Sequence, residues 1–160
     1  MSGPTRWAMS GQGGFALPTL RLSTSQYERI VGHCYAGLPD EACGLFVGPV
    51  VGPITAREAG GLVSEVFPAV NADASARTYT VDGRDYLRAS RAADDLGHEI
   101  IGVWHSHTHT DPYPSPTDVR QAVDPMWVYV IVSLRDDAPM LRAYRIRDGV
   151  IAECAVVLDG

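Results

Sequence analysis

The sequence predicts an α/β (α+β) domain, a mixed β-sheet flanked by helices. Three observations predict it. Apolar residues recur at helical spacing over two stretches, one following Ser23-Thr24 and one over residues 83–97. Short apolar runs such as ACGLFVG (42–48) and WVYVIVSL (127–134) read as buried strands. Helical and extended segments interleave along the chain, with no internal repeat and no linker dividing it. A flexible Gly/Ser/Pro-rich tail is expected over residues 1–18 and a single domain over 19–160.

The elements follow in order. LRLS (20–23) is a short strand. Ser23 or Thr24 caps a helix whose stripe is Tyr27, Ile30, Val31, Cys34 and Leu38, and Gly37 with Pro39 ends it. ACGLFVG is a buried strand closed by Gly48-Pro49. GPITAREAG and GLVSEVFPAVN are two further strand candidates meeting at Gly60-Gly61, and TYTVD (78–82) is a third. GRDYLRASRAADDLG (83–97) is an amphipathic helix with Tyr86, Leu87, Ser90, Ala93 and Leu96 on its stripe, stopped by Gly97. EIIGVWHSH (99–107) is apolar on both faces, which suits a central strand. A short helix over 116–123 follows. WVYVIVSL, MLRAYRIR (140–147) and VIAECAVVL (150–158) complete the strands, with a hairpin turn at Arg147-Asp148-Gly149.

Composition narrows the function. The net charge is −6, and all 13 basic residues are arginines with no dense run. That is not a nucleic-acid footprint. Cys34, Cys43 and Cys154 form no C-x-x-C, so no disulfide framework is expected and a reducing cytoplasm fits. The first twenty residues lack an apolar signal-peptide core, and no run reaches the ~18 apolar residues of a membrane span.

Chemistry concentrates in WHSHTHTDPYPSPTD (104–118). At the end of a strand, His105 and His107 point to one side and Ser106 to the other. Ser115-Pro116-Thr117-Asp118 is a helix start, with Ser as N-cap, Pro at N1 and Asp at N3. A capping box alone accounts for Ser115 and Asp118. The loop between is also long enough to bring Asp118 back to the histidines. Two imidazoles and a carboxylate suit Zn²⁺ with one coordination position open, the catalytic arrangement. His109 leaves open which histidine pair would bind. Zinc-dependent deamination is set aside, because H-x-E with P-C-x-x-C is missing. A zinc hydrolase also needs a base. Asp40-Glu41, just before a buried strand, offers candidate carboxylates, against the plain reading of a solvated loop acid.

His105-Ser106-His107, seven residues, Ser115, two residues and Asp118 resemble the JAMM (MPN+) metalloprotease motif. Glu41-Ala42-Cys43-Gly44-Leu45-Phe46-Val47-Gly48 resembles that family's upstream segment, and Gly102-Val103-Trp104 together with Asn71, Tyr79 and Asp82 fit it too. The resemblance spans about residues 20–157. It implies a cytidine-deaminase-like mixed sheet between helices, with Zn²⁺ held by His105, His107 and Asp118. It implies Glu41 as the proton carrier between the attacking water and the leaving amine, and Ser115 as the oxyanion donor.

The compact length and the LPDEACGLFVG and YRIRDGV segments resemble the small bacterial branch of the family. That branch implies a ubiquitin-like sulfur carrier protein with a C-terminal Gly-Gly as partner. Cysteine or a short extension would be released from it. A non-catalytic MPN-type scaffold and an isopeptidase acting on another ubiquitin-like conjugate are the alternatives. Cys43 reads as a small core residue. Arg77 and Arg84 read as surface charges that could instead meet an acidic carrier or a released carboxylate.

Overall fold

The computed structural model describes residues 18–50 and 60–160. Among them the chain forms β1 (Thr19–Ser23), α1 (Thr24–Ala36), β2 (Cys43–Gly48), β3 (Gly60–Leu62), β4 (Glu65–Ala69) and α2 (Gly83–Leu96), followed by β5 (Glu99–His107), α3 (Pro116–Gln121), β6 (Val128–Ser133), β7 (Met140–Arg147) and β8 (Val150–Asp159). The strands make one mixed sheet in the order β3-β1-β8-β7-β6-β5-β2-β4. β5 lies between the parallel β6 and the antiparallel β2, so its two-faced apolar pattern does mark a central strand.

Alternation along β2 and β5 divides the core. Phe46 and Trp104 face one side, where Ile30 and Cys34 of α1 pack. Leu45 and Val103 face the other, where Ala89 of α2 packs. The expected mixed sheet between helices is therefore the observed architecture. α1 begins with a full capping box, in which Ser23 and Gln26 bond each other's backbone N–H. The β7–β8 hairpin turns at Asp148 (φ 50°) and Gly149 (φ 77°), a left-handed pair that matches the twist of the strands it joins.

Three expectations change. TYTVD is not a strand; only Val81 makes a bridge, to Asn71. The Asn71 side chain takes the Thr78 carbonyl and the Thr80 N–H, the groups a ladder would need. The helix over 83–96 buries Asp85, Ala89 and Ala93 rather than the large residues, leaving Leu87 and Leu96 about half exposed. Alanines let α2 lie close on the sheet, and Asp85 is retained because its carboxylate accepts the Val70 N–H at 2.8 Å. The helix after Ser115 stops at Gln121. The GPITAREAG candidate and the N-terminal tail lie outside the described residues, apart from Gly60 and Pro18 at their ends.

Gly44 sets how closely β2 and β5 pack. A Cβ there would stand 2.1 Å from Trp104 Cζ2 and 2.5 Å from the Phe67 carbonyl oxygen. Trp104 is fully buried and its indole N–H is directed at the Leu45 carbonyl, 3.3 Å away, so it cannot step aside. Gly44→Ala is expected to lower unfolding free energy by about 3 kcal/mol, read as a fall in the denaturant midpoint at unchanged m-value.

Candidate metal centre and active site

β5 delivers two imidazoles by its period of two. His105 and His107 lie on one face with ring centroids 5.0 Å apart, and both are buried. Ser106 turns to the opposite face, where its Oγ accepts the Ala42 N–H at 2.8 Å. Ser106 N–H in turn donates to the Ala42 carbonyl at 2.9 Å. These two bonds extend the β2–β5 pairing to the residue beside Glu41.

α3 supplies the carboxylate. Ser115 Oγ accepts the Asp118 N–H at 3.0 Å, and Asp118 Oδ2 accepts the Ser115 N–H at 2.9 Å. This capping box aims Asp118 at the strand. Its Oδ1 lies 3.3 Å from His105 Nε2 and its Oδ2 3.0 Å from His107 Nε2. The donor atoms of His105, His107 and Asp118 all fall within 4.8 Å of one another. The capping and metal readings of Ser115–Asp118 are therefore compatible, since one carboxylate satisfies both. His109 is exposed, with Nδ1 turned to Thr108 Oγ1 at 2.9 Å, outside this group.

The donor set fits a metal ion. Ligand atoms at 2.0–2.2 Å around a tetrahedral zinc stand about 3.3 Å apart, close to the separations seen. The Asp111 carbonyl can only accept, so His107 Nδ1, 2.8 Å away, carries the proton. Nε2 is left with its lone pair toward Asp118, an arrangement that calls for a cation between them or a proton on the ring. Among the described residues, His105 Nε2 is buried without a hydrogen-bond partner. Burial holds the His105 pKa below its ordinary value, against the pull of Asp118, so this imidazole is neutral and able to ligate. Burial also works against the His107 imidazolium, but Asp118 and the Asp111 carbonyl outweigh it and raise its pKa. Burial alone would raise Asp118. The two imidazoles and the Ser115 N–H overcome it and keep the carboxyl well below the usual range.

Glu41 is no solvated loop acid. It is 6% exposed, and its Oε1 is buried without a hydrogen-bond partner among the described residues. Burial pushes its pKa up to about 8; His107 opposes this, while Asp118 and Asp73 add to it. A buried carboxyl displaced this far from its ordinary value, beside a metal-capable group, marks a candidate proton carrier. Its backbone is held from two directions, by its own N–H to the Ser75 carbonyl at 2.8 Å and by Asn71 Nδ2 on its carbonyl at 2.9 Å.

Asn71 and Tyr79, which the family resemblance included without a role, both support the site. Asn71 uses both donors and its acceptor oxygen, which also receives the Asp73 N–H in an Asx turn. The sequence signal for that turn was Asn71-Ala72-Asp73. Tyr79 stacks on His105 with ring centroids 4.2 Å apart and 19° between planes. Nothing in local spacing points to that contact. Cys43 is fully buried, and burial with nearby Asp85 and Glu41 pushes its thiol up to about 12, as suits a core residue.

Residues 23–147 match the family described as prokaryotic homologs of the JAB domain. The chain belongs to this JAB-domain family. That agrees with the JAMM/MPN+ resemblance of the two motif segments. Among curated JAB-domain relatives, the CysO-cysteine peptidase of Mycobacterium tuberculosis is 38% identical over 125 residues, covering 78% of this chain and 80% of its own. The desampylase of Haloferax volcanii is 31% identical over 119 residues, covering 71% and 80%. The solution structure of protein DSY2949 from Desulfitobacterium hafniense superposes with a TM-score of 0.77 at 31% identity, covering 88% of this chain and 92% of that one. Among the described residues, no helix is long and apolar enough to cross a membrane.

Proposed function

We propose that the chain is a zinc-dependent peptidase that hydrolyses the bond after the C-terminal Gly-Gly of a ubiquitin-like sulfur carrier protein, releasing cysteine or a short extension. The observation that carries this reading is the convergence of His105, His107 and Asp118 beside the buried, protonatable Glu41. Similarity to a CysO-cysteine peptidase supports the carrier and the leaving group. The catalytic unit in this reading is residues 19–160, working in the cytoplasm.

His105, His107 and Asp118 would hold the ion. Bound there, Zn²⁺ supplies Lewis acidity, making a water acidic near pH 7 and polarising a carbonyl. Glu41 takes a proton from the attacking water and hands it to the leaving amine, a role that its buried place beside the ligand set suits. Ser115 Oγ accepts from Asp118 N–H, and its own hydroxyl proton remains to stabilise the oxyanion. A donor at that position contributes about 3–4 kcal/mol in comparable sites. A Gly-Gly tail brings no side chains, and it can be gripped through its backbone.

The test is mass spectrometry of zinc-loaded protein incubated with a sulfur carrier ending Gly-Gly-Cys. Loss of one cysteine from the carrier is expected. An isopeptidase, the alternative reading, would instead cleave a lysine-linked carrier conjugate and leave this substrate whole. A scaffold would cleave neither.

A further inference from the structure

We propose that Arg77 binds the free α-carboxylate of the residue that leaves, and so makes the enzyme prefer a C-terminal amino acid over a longer or blocked extension. This deepens the peptidase reading above and rests on it.

The loop after β4 is tied both to Glu41 and to the histidine strand. Ser75 carbonyl accepts the Glu41 N–H at 2.8 Å. Ala76 carbonyl accepts from Thr108 Oγ1 at 3.3 Å, one residue past His107. Thr78 carbonyl accepts from Asn71, which also holds Glu41. Tyr79 lies flat on His105. Arg77 sits between these anchors, on a stretch fixed to both the base and the histidine strand. Its own N–H is held by Ser75 Oγ at 3.0 Å, and its side chain is exposed.

Electrostatics supply the second step. The neighbourhood is acidic: Asp118 and Asp73 both act on the Glu41 carboxyl. A terminal carboxylate entering beside them needs a cation. Other nearby arginines are already engaged. Arg84 is paired with Asp82, and Arg135 with Asp111 and Asp136. The Arg77 guanidinium has no hydrogen bond or ion pair among the described residues.

Chemistry fixes the side of the scissile bond. Glu41 protonates the leaving amine, so the leaving residue lies on the Glu41 side of the site. In a single released amino acid the carboxylate is one carbon from that amine. The loop bonded to Glu41 N–H is the one that carries Arg77. A planar guanidinium fork suits two-point binding of a carboxylate.

The experiment compares two carriers, one ending Gly-Gly-Cys with a free acid and one with the same end as its amide. Both are cleaved by zinc-loaded wild type, Arg77→Gln and Arg77→Lys. Wild type is expected to favour the acid about tenfold or more in kcat/KM, the range of a charged hydrogen-bonded contact. Arg77→Gln should lose that preference through the acid alone, with amide turnover and zinc content unchanged. Arg77→Lys should recover part of it. Equal rates on acid and amide in wild type, or an equal fall on both in Arg77→Gln, would overturn the assignment while leaving the peptidase standing. Wild type that cleaves neither carrier would overturn the peptidase reading itself, and this inference with it.

Discussion

Glu41→Gln is expected to abolish turnover, by about 10²–10⁴-fold for a lost general base, while zinc stays bound. The amide keeps the shape of the side chain and cannot carry the proton. The same substitution should stabilise the metal-free protein at alkaline pH. Burial raises the Glu41 pKa from 4.5 to about 8. Between those values the folded protein holds a proton that the unfolded chain has released. The stability linked to this group is therefore full below about pH 4.5 and is lost as pH rises through 8. Glu41→Gln removes that loss. At pH 8.5 the metal-free variant should be more stable than the metal-free parent by about 2 kcal/mol or more. Urea melts of chelator-treated protein at pH 5 and pH 8.5 measure this. A parent whose metal-free stability is flat across the interval would contradict the environment assigned to Glu41.

Asp118→Asn is expected to lose the metal. Asp118 brings the negative charge to the ligand set and touches both histidine Nε2 atoms. Zinc affinity should fall by more than about 100-fold, since changes to residues that merely support a ligand already reach that size. Elemental analysis of purified protein would show zinc in Glu41→Gln and little in Asp118→Asn. Added zinc should raise the melting temperature of the first and not of the second. The metal-free Asp118→Asn protein should also be weaker near neutral pH. A carboxyl held below its ordinary 3.8 contributes stability above that pH and loses it as pH falls, and the amide has none to contribute. Equal zinc contents in the two variants would remove Asp118 from the ligand set.

What the sequence made legible was local chemistry on regular elements. Period two placed His105 and His107 on one face. Ser115-Pro116-x-Asp118 announced a capped helix, and both features stand as expected. Spacing alone left the histidine pairing open; the family resemblance chose His105 and His107, and His109 turns to Thr108, outside that group. Residues acting at a distance were harder to read. Tyr79 reaches His105 across 26 positions of sequence. The helix stripe held at Ala93 and failed at Leu87 and Leu96, because close approach to the sheet favoured the small Ala89 over large side chains. The supposed strand at 78–82 failed because β-propensity describes side chains on a pleated surface, and Asn71 had already claimed the backbone.

β2 and β5 are paired with Cys43 opposite His105, two residues from Glu41. Glu41 and the first imidazole are thus spaced by a ladder of main-chain bonds, as marks on a ruler are. Swapping the surrounding loops leaves that spacing intact. A lineage can retune which conjugate it trims by editing the periphery, with its chemical step carried along unaltered.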